Sequence, residues 1–345
     1  MKILRLSFLL AALTLSQSCM GVSSPPDTGK VEANSSNEVV ERQLVIDQVS
    51  TAIKANDFAG LNRMADHYRT SRARTPSGMW KLGIFHASVQ YDLSEGLNRA
   101  SGCVSPNADF VRKWLEFDPR QPAAIVTAAD LRMTNAWCHR GSGYANQVNE
   151  QQWEGFREET RAAFDILEES RALASADPEF YAVMASAYRA SNKSWSDLAD
   201  MLDEATSREP YYHRTYFRAA FSYLPQWGGS PGTLDQFARY AAERTSTSDK
   251  TGFYARIYWF LEDCDCASRI GAGHWDDMKQ SMRDIYERYP VEFNAQNMLD
   301  VSCKAGDEDE ALYYMRALHP EATGDGDFVL MIAGCKAMGA MGSVS

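Results

Sequence analysis

The chain has 345 residues, 45% of them hydrophobic and 23% charged, with a formal net charge of -11. That length and balance suit a globular or repeat protein with a sizeable core. The acidic surplus argues against non-specific nucleic-acid binding, which depends on Lys and Arg neutralising phosphates, and against attachment to anionic lipid by charge alone.

Residues 1–18 read as a signal peptide. Lys2 and Arg5 form a basic start, residues 6–15 an apolar run too short to span a bilayer, and Ser16-Gln17-Ser18 a small-x-small site. The same stretch resembles a bacterial lipobox with Cys19 as the lipidated residue, although Leu15 stands one position earlier than that pattern prefers. Lipid anchoring through Cys19 and plain secretion into the periplasm or medium are therefore the two expectations. Residues 19–40 are polar, with Ser, Pro and Gly, and read as a disordered tether. No later segment approaches the ~20 apolar residues of a membrane helix.

From 41 to 337 the pattern is helical, and 338–345 reads as a flexible tail. Trp153, Phe156, Ala163, Phe164 and Leu167 share a helical face, as do Tyr181, Met184, Ala185 and Tyr188. Leu198, Met201, Leu202 and Ala205 form another such stripe, and Ala311, Met315 and Leu318 a later one. Each amphipathic stripe needs neighbouring helices to cover it. An acidic residue followed by Pro recurs at Asp118-Pro119, Asp177-Pro178 and Glu209-Pro210, and further prolines stand at Pro290 and Pro320. Proline ends one helix and suits the first turn of the next. The rhythm of helix, turn, helix and acidic-Pro resembles the tetratricopeptide repeat, and "AGDEDEAL" (305–312) looks like its inter-helix turn. The expected fold is all-α, an irregular array of TPR-like helical hairpins of the α-solenoid kind, with no further domain boundary after residue 40.

If Cys19 is lipidated, six cysteines remain: Cys103, Cys138, Cys264, Cys266, Cys303 and Cys335. An even number in an exported chain points to disulfides, and six cysteines leave fifteen connectivities open. Cys264-Asp265-Cys266 followed by His274 does not match a familiar zinc spacing, so neither a metal nor a cofactor is expected.

Five stretches, taken together, resemble an uncharacterised bacterial family, domain of unknown function 4034. They are "TPSGMWKLGIFHASV" (75–89), "AWCHRGSGYANQV" (136–148), "WEGFREETRAAFDILEES" (153–170), "EPYYHRTYFRAAFSYLPQWGGS" (209–230) and "YARIYWFL" (254–261). The resemblance spans roughly residues 50 to 265; its more specific parts are the Trp-Gly-Gly-Ser run and Trp137, Arg140, Gly141, Ser142 and Gly143. It implies a helical, TPR-like fold and no activity.

Two helix interruptions are candidate sites. In "LPQWGGSPGTLDQ" (224–236), Pro225 stops a helix, Gly228 and Gly229 permit positive φ, and Ser230-Pro231 suits an N-cap with Pro at the first helical position. Thr233 to Gln236 offers an alternative cap. The structural reading makes this a corner; the functional one makes Trp227 a platform for a sugar or peptide. "CHRGSGYA" (138–145) lacks the Gly-Lys-Ser/Thr of a phosphate loop and reads as a connector, or as a site where Arg140 grips an anion. Tyr254 and Arg256 either join such a site or serve the core, Arg256 by pairing with a carboxylate between helices. The candidate binding patch is thus Trp137, His139, Arg140, Tyr144, Trp227, Tyr254 and Arg256. The six histidines show no metal spacing, no serine sits in a nucleophile elbow, and Glu158-Glu159 and Glu168-Glu169 read as solvated. The leading expectation is a protein- or peptide-binding scaffold at the cell envelope, touching the membrane only through a lipid anchor. The alternative is an envelope hydrolase or small-ligand binder around Arg140 and Arg256.

Overall fold

The computed structural model describes residues 37–263, 273–321 and 334–335. The expected leader, Cys19, most of the tether, Cys264, Cys266 and the tail lie outside the described residues. The architecture is all-α, with consecutive helices folded back as hairpins in an irregular repeat array. Among the described residues, β structure is limited to an isolated bridge between Arg74 and Trp80.

The sequence shows no boundary past residue 40, yet the chain divides into two compact units. The first holds 42–75 and 79–222; the second holds 37–41, 76–78 and the chain from Tyr223. The division after Ser222 falls where Pro225 and the two glycines interrupt the helical pattern.

The first unit contains α1 (Glu38–Ala55, from residue 42 onward), α2 (Phe58–Ser71), α3 (Lys81–Ser94), α4 (Ala108–Phe117) and α5 (Pro122–Arg140). It continues with α6 (Glu150–Glu169), the single turn α7 (Arg171–Ala174), α8 (Glu179–Ala190), α9 (Trp195–Arg208) and α10 (His213–Ala220). Helix α1 begins at Glu38, inside the expected tether, because the Asn37 side chain accepts from Val39 N at 2.9 Å and starts the turn. Local chemistry sets the other ends as well. Asp57 accepts from Gly60 N to cap α2, Pro122 stands in the first turn of α5, and Asn149-Gln152 and Ser194-Asp197 form capping boxes for α6 and α9. Helices α5 and α6 pack along one another, and Ala129 and Ala136 of α5 and Ala163 of α6 are fully buried. Helix α8 is enclosed by α5, α6, α9 and α10 and is buried on every side, as its run of Ala182, Ala185 and Ala187 allows. The core around Val49, Leu61, Trp80, Phe85, Trp114 and Tyr212 is continuous, and Tyr212 therefore belongs to it.

The second unit contains α11 (Pro231–Asp249), α12 (Phe253–Asp263), α13 (Trp275–Arg288), α14 (Glu292–Ala305) and α15 (Glu308–Leu318). Successive helices pack pairwise. Between α14 and α15, Gly306 takes φ +74 and Asp307 accepts from Glu310 N, which is the turn that "AGDEDEAL" promised. At the start of α11 the cap is Ser230, with Pro231 in the first turn and Thr233 closing the capping box; the alternative cap at Thr233 is not used. The two glycines before it do different work. Gly228 takes φ +86, whereas Gly229 has no positive φ: a Cβ there would lie 2.0 Å from the Tyr223 carbonyl oxygen.

Candidate functional site

The residues of the expected patch fall in both units. In the first, the Arg140 guanidinium lies between the Trp137 and Trp153 rings, 5.6 and 5.5 Å from their centroids. Its Nη1 donates to the Gly141 and Gly143 carbonyls at 3.0 and 3.2 Å. Burial pushes this guanidinium below its ordinary pKa. Its visible work is to hold the connector after α5 against α6. Trp137 also packs edge-on to Phe156 and lies under Arg189. His139 rests against Gly155 of α6, where a Cβ would meet its Nδ1 at 2.5 Å. Tyr144 differs: it is 82% exposed.

The same connector is tied from behind. Cys103 and Cys138 form a disulfide with Cα atoms 5.5 Å apart. Next to it, Arg99 donates from Nε to the Cys138 carbonyl at 3.3 Å and from Nη2 to the Arg140 carbonyl at 3.2 Å. A cation on the last carbonyls of α5 complements the negative end of that helix. In the second unit, Cys303 and Cys335 form another disulfide. Four of the six candidate cysteines are thus paired.

In the second unit, Trp227 is half-buried in the turn before α11. The Tyr254 hydroxyl donates to Asp235 at 2.6 Å and accepts from His274 N at 2.9 Å, with Arg239 over its ring. Burial and the Asp235 contact raise the phenol well above its ordinary pKa. Tyr254 also lines a cleft of about 440 Å³ with Arg239 and Lys250 of the α11 side and Asp277 of α13. Arg256 donates from Nη2 to the Ser77 carbonyl at 2.8 Å.

A dense, buried polar constellation in the first unit was not anticipated. Glu179, at the start of α8, is fully buried. It accepts from Arg214 Nε and Nη2 of α10 at 2.8 and 2.7 Å and from the Tyr212 hydroxyl at 2.6 Å. Arg218 Nη2, one turn further along α10, stands 3.1 Å from it. Arg218 also reaches both oxygens of Asp130 on α5, at 2.7 and 2.9 Å. His86 Nε2 of α3 is 2.9 Å from Asp177, whose other oxygen accepts from Glu179 N at 3.0 Å. Burial pushes the Glu179 carboxyl up, but Arg214 and Arg218 overcome that and hold it at about 2. A cavity of about 10 Å³, lined by His86, Asp130 and Glu179, lies at this cluster, room for about one water. The acidic-Pro rhythm contained Asp177-Pro178, but no spacing rule links it to His86 or to Arg214.

A different feature lies on α1 and α2. An open groove of about 800 Å³ runs between them, lined by Leu44, Gln48 and Thr51 on one side and by Gly60, Met64 and His67 on the other. Its apolar floor includes Ala52 and Tyr68, and Leu44 is 49% exposed. Glu159, expected to be solvated, is instead half-buried and accepts from Arg132 and Asn135. Among the described residues no cluster of His, Cys, Asp and Glu is arranged to hold a metal, and no helix is long and apolar enough to cross a membrane. No family model, curated protein or solved structure matches the chain.

Proposed function

We propose that this chain is an exported helical-repeat scaffold, tethered at the cell envelope through a lipid on Cys19, that holds a segment of another protein in the groove between α1 and α2. The open groove with its exposed Leu44 and apolar floor carries the reading. Hairpin arrays bind extended or helical segments along such surfaces. The two disulfides are compatible with an oxidising compartment. Membership of the domain of unknown function 4034 family is part of the same proposal.

The hydrolase reading gains less support. An acid-base site needs convergent groups around a space that admits substrate. Here the groups with the strongest electrostatic coupling face one another around a cavity of about 10 Å³. Arg140 and Arg256 donate to backbone carbonyls of their own surroundings.

Photo-crosslinking residues placed at Leu44 and Met64 in intact cells test the scaffold reading against the same probe at exposed Arg161 on α6. The expected result is a discrete adduct from the two groove positions and none from Arg161. Equal labelling at all three positions, or at none, refutes the groove as a docking site. Fatty-acid labelling that is lost in Cys19→Ser is the expected result for the anchor.

A further inference from the structure

The buried side chain that meets Asp177 is His86, whose ring Nε2 lies 2.9 Å from the carboxylate. Three carboxylates, Asp130, Asp177 and Glu179, face two guanidiniums, Arg214 and Arg218, through the contacts given above. A third buried guanidinium, Arg189 of α8, lies over the Trp137 and Phe221 rings and donates to the Arg218 carbonyl; burial and the neighbouring Arg218 charge lower its pKa to about 9. Helix α2 also packs on α3, but its charged groups are half-buried or exposed and pair among themselves, Arg63 with Asp57 and Arg69 with Asp66. His67 of α2 is exposed and packs beside Tyr68. The imidazole of His86 is itself 3% exposed and Asp177 1%, so solvent screens this pair little.

We propose that His86 is a proton-operated clamp. Protonated, it sets a cation against the buried Asp177 and ties α3 to the turn before α8; neutral, it leaves Asp177 facing an uncharged ring. A neutral imidazole with its proton on Nε2 still donates to Asp177, so the hydrogen bond alone does not distinguish the two states. The difference is the net charge left in a space of low polarisability. The first unit is therefore tighter below the His86 midpoint than above it.

Burial by itself would make the imidazole release its proton more readily. The charge and hydrogen bond of Asp177 and the charge of Glu179 outweigh burial and Arg214, and hold its pKa above the ordinary 6.5. A pKa raised on folding adds stability that is complete below the unfolded value. That stability is lost as pH rises through the folded value, by at most tenfold in the opening equilibrium per pH unit.

The test is a side-chain NMR titration of the full-length protein between about pH 5 and about pH 9, with the His86 resonance assigned through His86→Gln. The expected midpoint lies above 6.5 and drops in Asp177→Asn. A midpoint at or below 6.5, or one unmoved by Asp177→Asn, overturns the proposal. If Asp177→Asn does not fold, amide exchange of wild type and His86→Gln decides the matter. After correction for intrinsic rates, wild-type α3 and α8 amides open more often as pH rises through the His86 midpoint, while His86→Gln shows no such step. The same step in both proteins, or none in wild type, refutes the clamp.

Discussion

Replacing Arg214 with Met keeps the length and apolar stem of the side chain and removes the guanidinium that holds both oxygens of Glu179. The carboxylate then remains fully buried with Arg218 and the Tyr212 hydroxyl as its partners. The magnitude follows from the titration of Glu179, which moves from 4.5 to about 2 on folding. At about 1.4 kcal/mol per pKa unit, its partners together stabilise the ionised form by about 3 kcal/mol. Breaking one partner of a buried ion pair costs about 3–5 kcal/mol in general, so Arg214→Met is expected to cost about 3 kcal/mol. That is a large part of the ~5–15 kcal/mol of a folded domain, and it lowers Tm by about 10 °C. The assay is thermal and urea unfolding near neutral pH, repeated at falling pH. A carboxyl whose pKa is depressed on folding contributes stability that is present above 4.5 and lost as pH falls towards about 2. Wild type should therefore weaken across that window, and Arg214→Met should weaken less steeply. Glu179→Gln keeps the shape, and the double variant Glu179→Gln/Arg214→Met should be milder than the sum of the singles by about 1–3 kcal/mol. A loss below about 1 kcal/mol for Arg214→Met, or an acid limb parallel to wild type, would show that the pair is not an anchor of this unit.

Three further outcomes are expected. Gly229→Ala drives a Cβ onto the Tyr223 carbonyl oxygen, a backbone atom that cannot swing aside, and should cost about 1–3 kcal/mol by overpacking. Gly228→Ala meets nothing within 4 Å and should cost only the positive-φ penalty, about 1 kcal/mol; thermal unfolding that ranks the two the other way contradicts this account of the corner. Cys138→Ser opens a loop of sequence separation 35, which loop-closure entropy makes worth about 4 kcal/mol. Peptide mapping under non-reducing conditions should recover Cys103 linked to Cys138, and free thiols at both positions would remove the premise.

What could be read from the sequence was what lies within a few residues. The Ser230-Pro231 start of α11, the Gly306-Asp307 turn and the buried stripe of Leu198, Met201, Leu202 and Ala205 all rest on contacts inside one helix or across one turn. The roles of Gly228 and Gly229 were only half legible, because positive φ is a local property while the approach of Tyr223 depends on the path of the chain. The disulfide pairing and the Asp130–Arg218 contact were hidden for the same reason. Partners 35 and 88 residues apart are joined by packing, and no spacing rule reports packing. Arg140 illustrates a further limit: its residue type suits an anion grip, but the two flanking Trp rings and the two Gly carbonyls give the guanidinium a structural post.

The acidic-Pro connectors explain how a repeat becomes irregular without losing its backbone. Asp177-Pro178-Glu179 and Glu209-Pro210-Tyr211 occupy equivalent turns, each closing one helix and preceding the next. At the second turn the acid meets Arg72, which is 60% exposed, and a pair so wetted contributes little. At the first turn the following helix is α8, enclosed on all sides, so both acids are carried inside with it. Carboxylates at a helix N-terminus already face the positive end of its dipole, which makes this the least costly place on α8 to bury them. Arg214 and Arg218, one turn apart on α10, then complete the compensation from the neighbouring hairpin. A connector whose first purpose is to break a helix thus supplies the anions of a buried cluster. Once that cluster exists, the hairpins on either side can no longer be exchanged for one another.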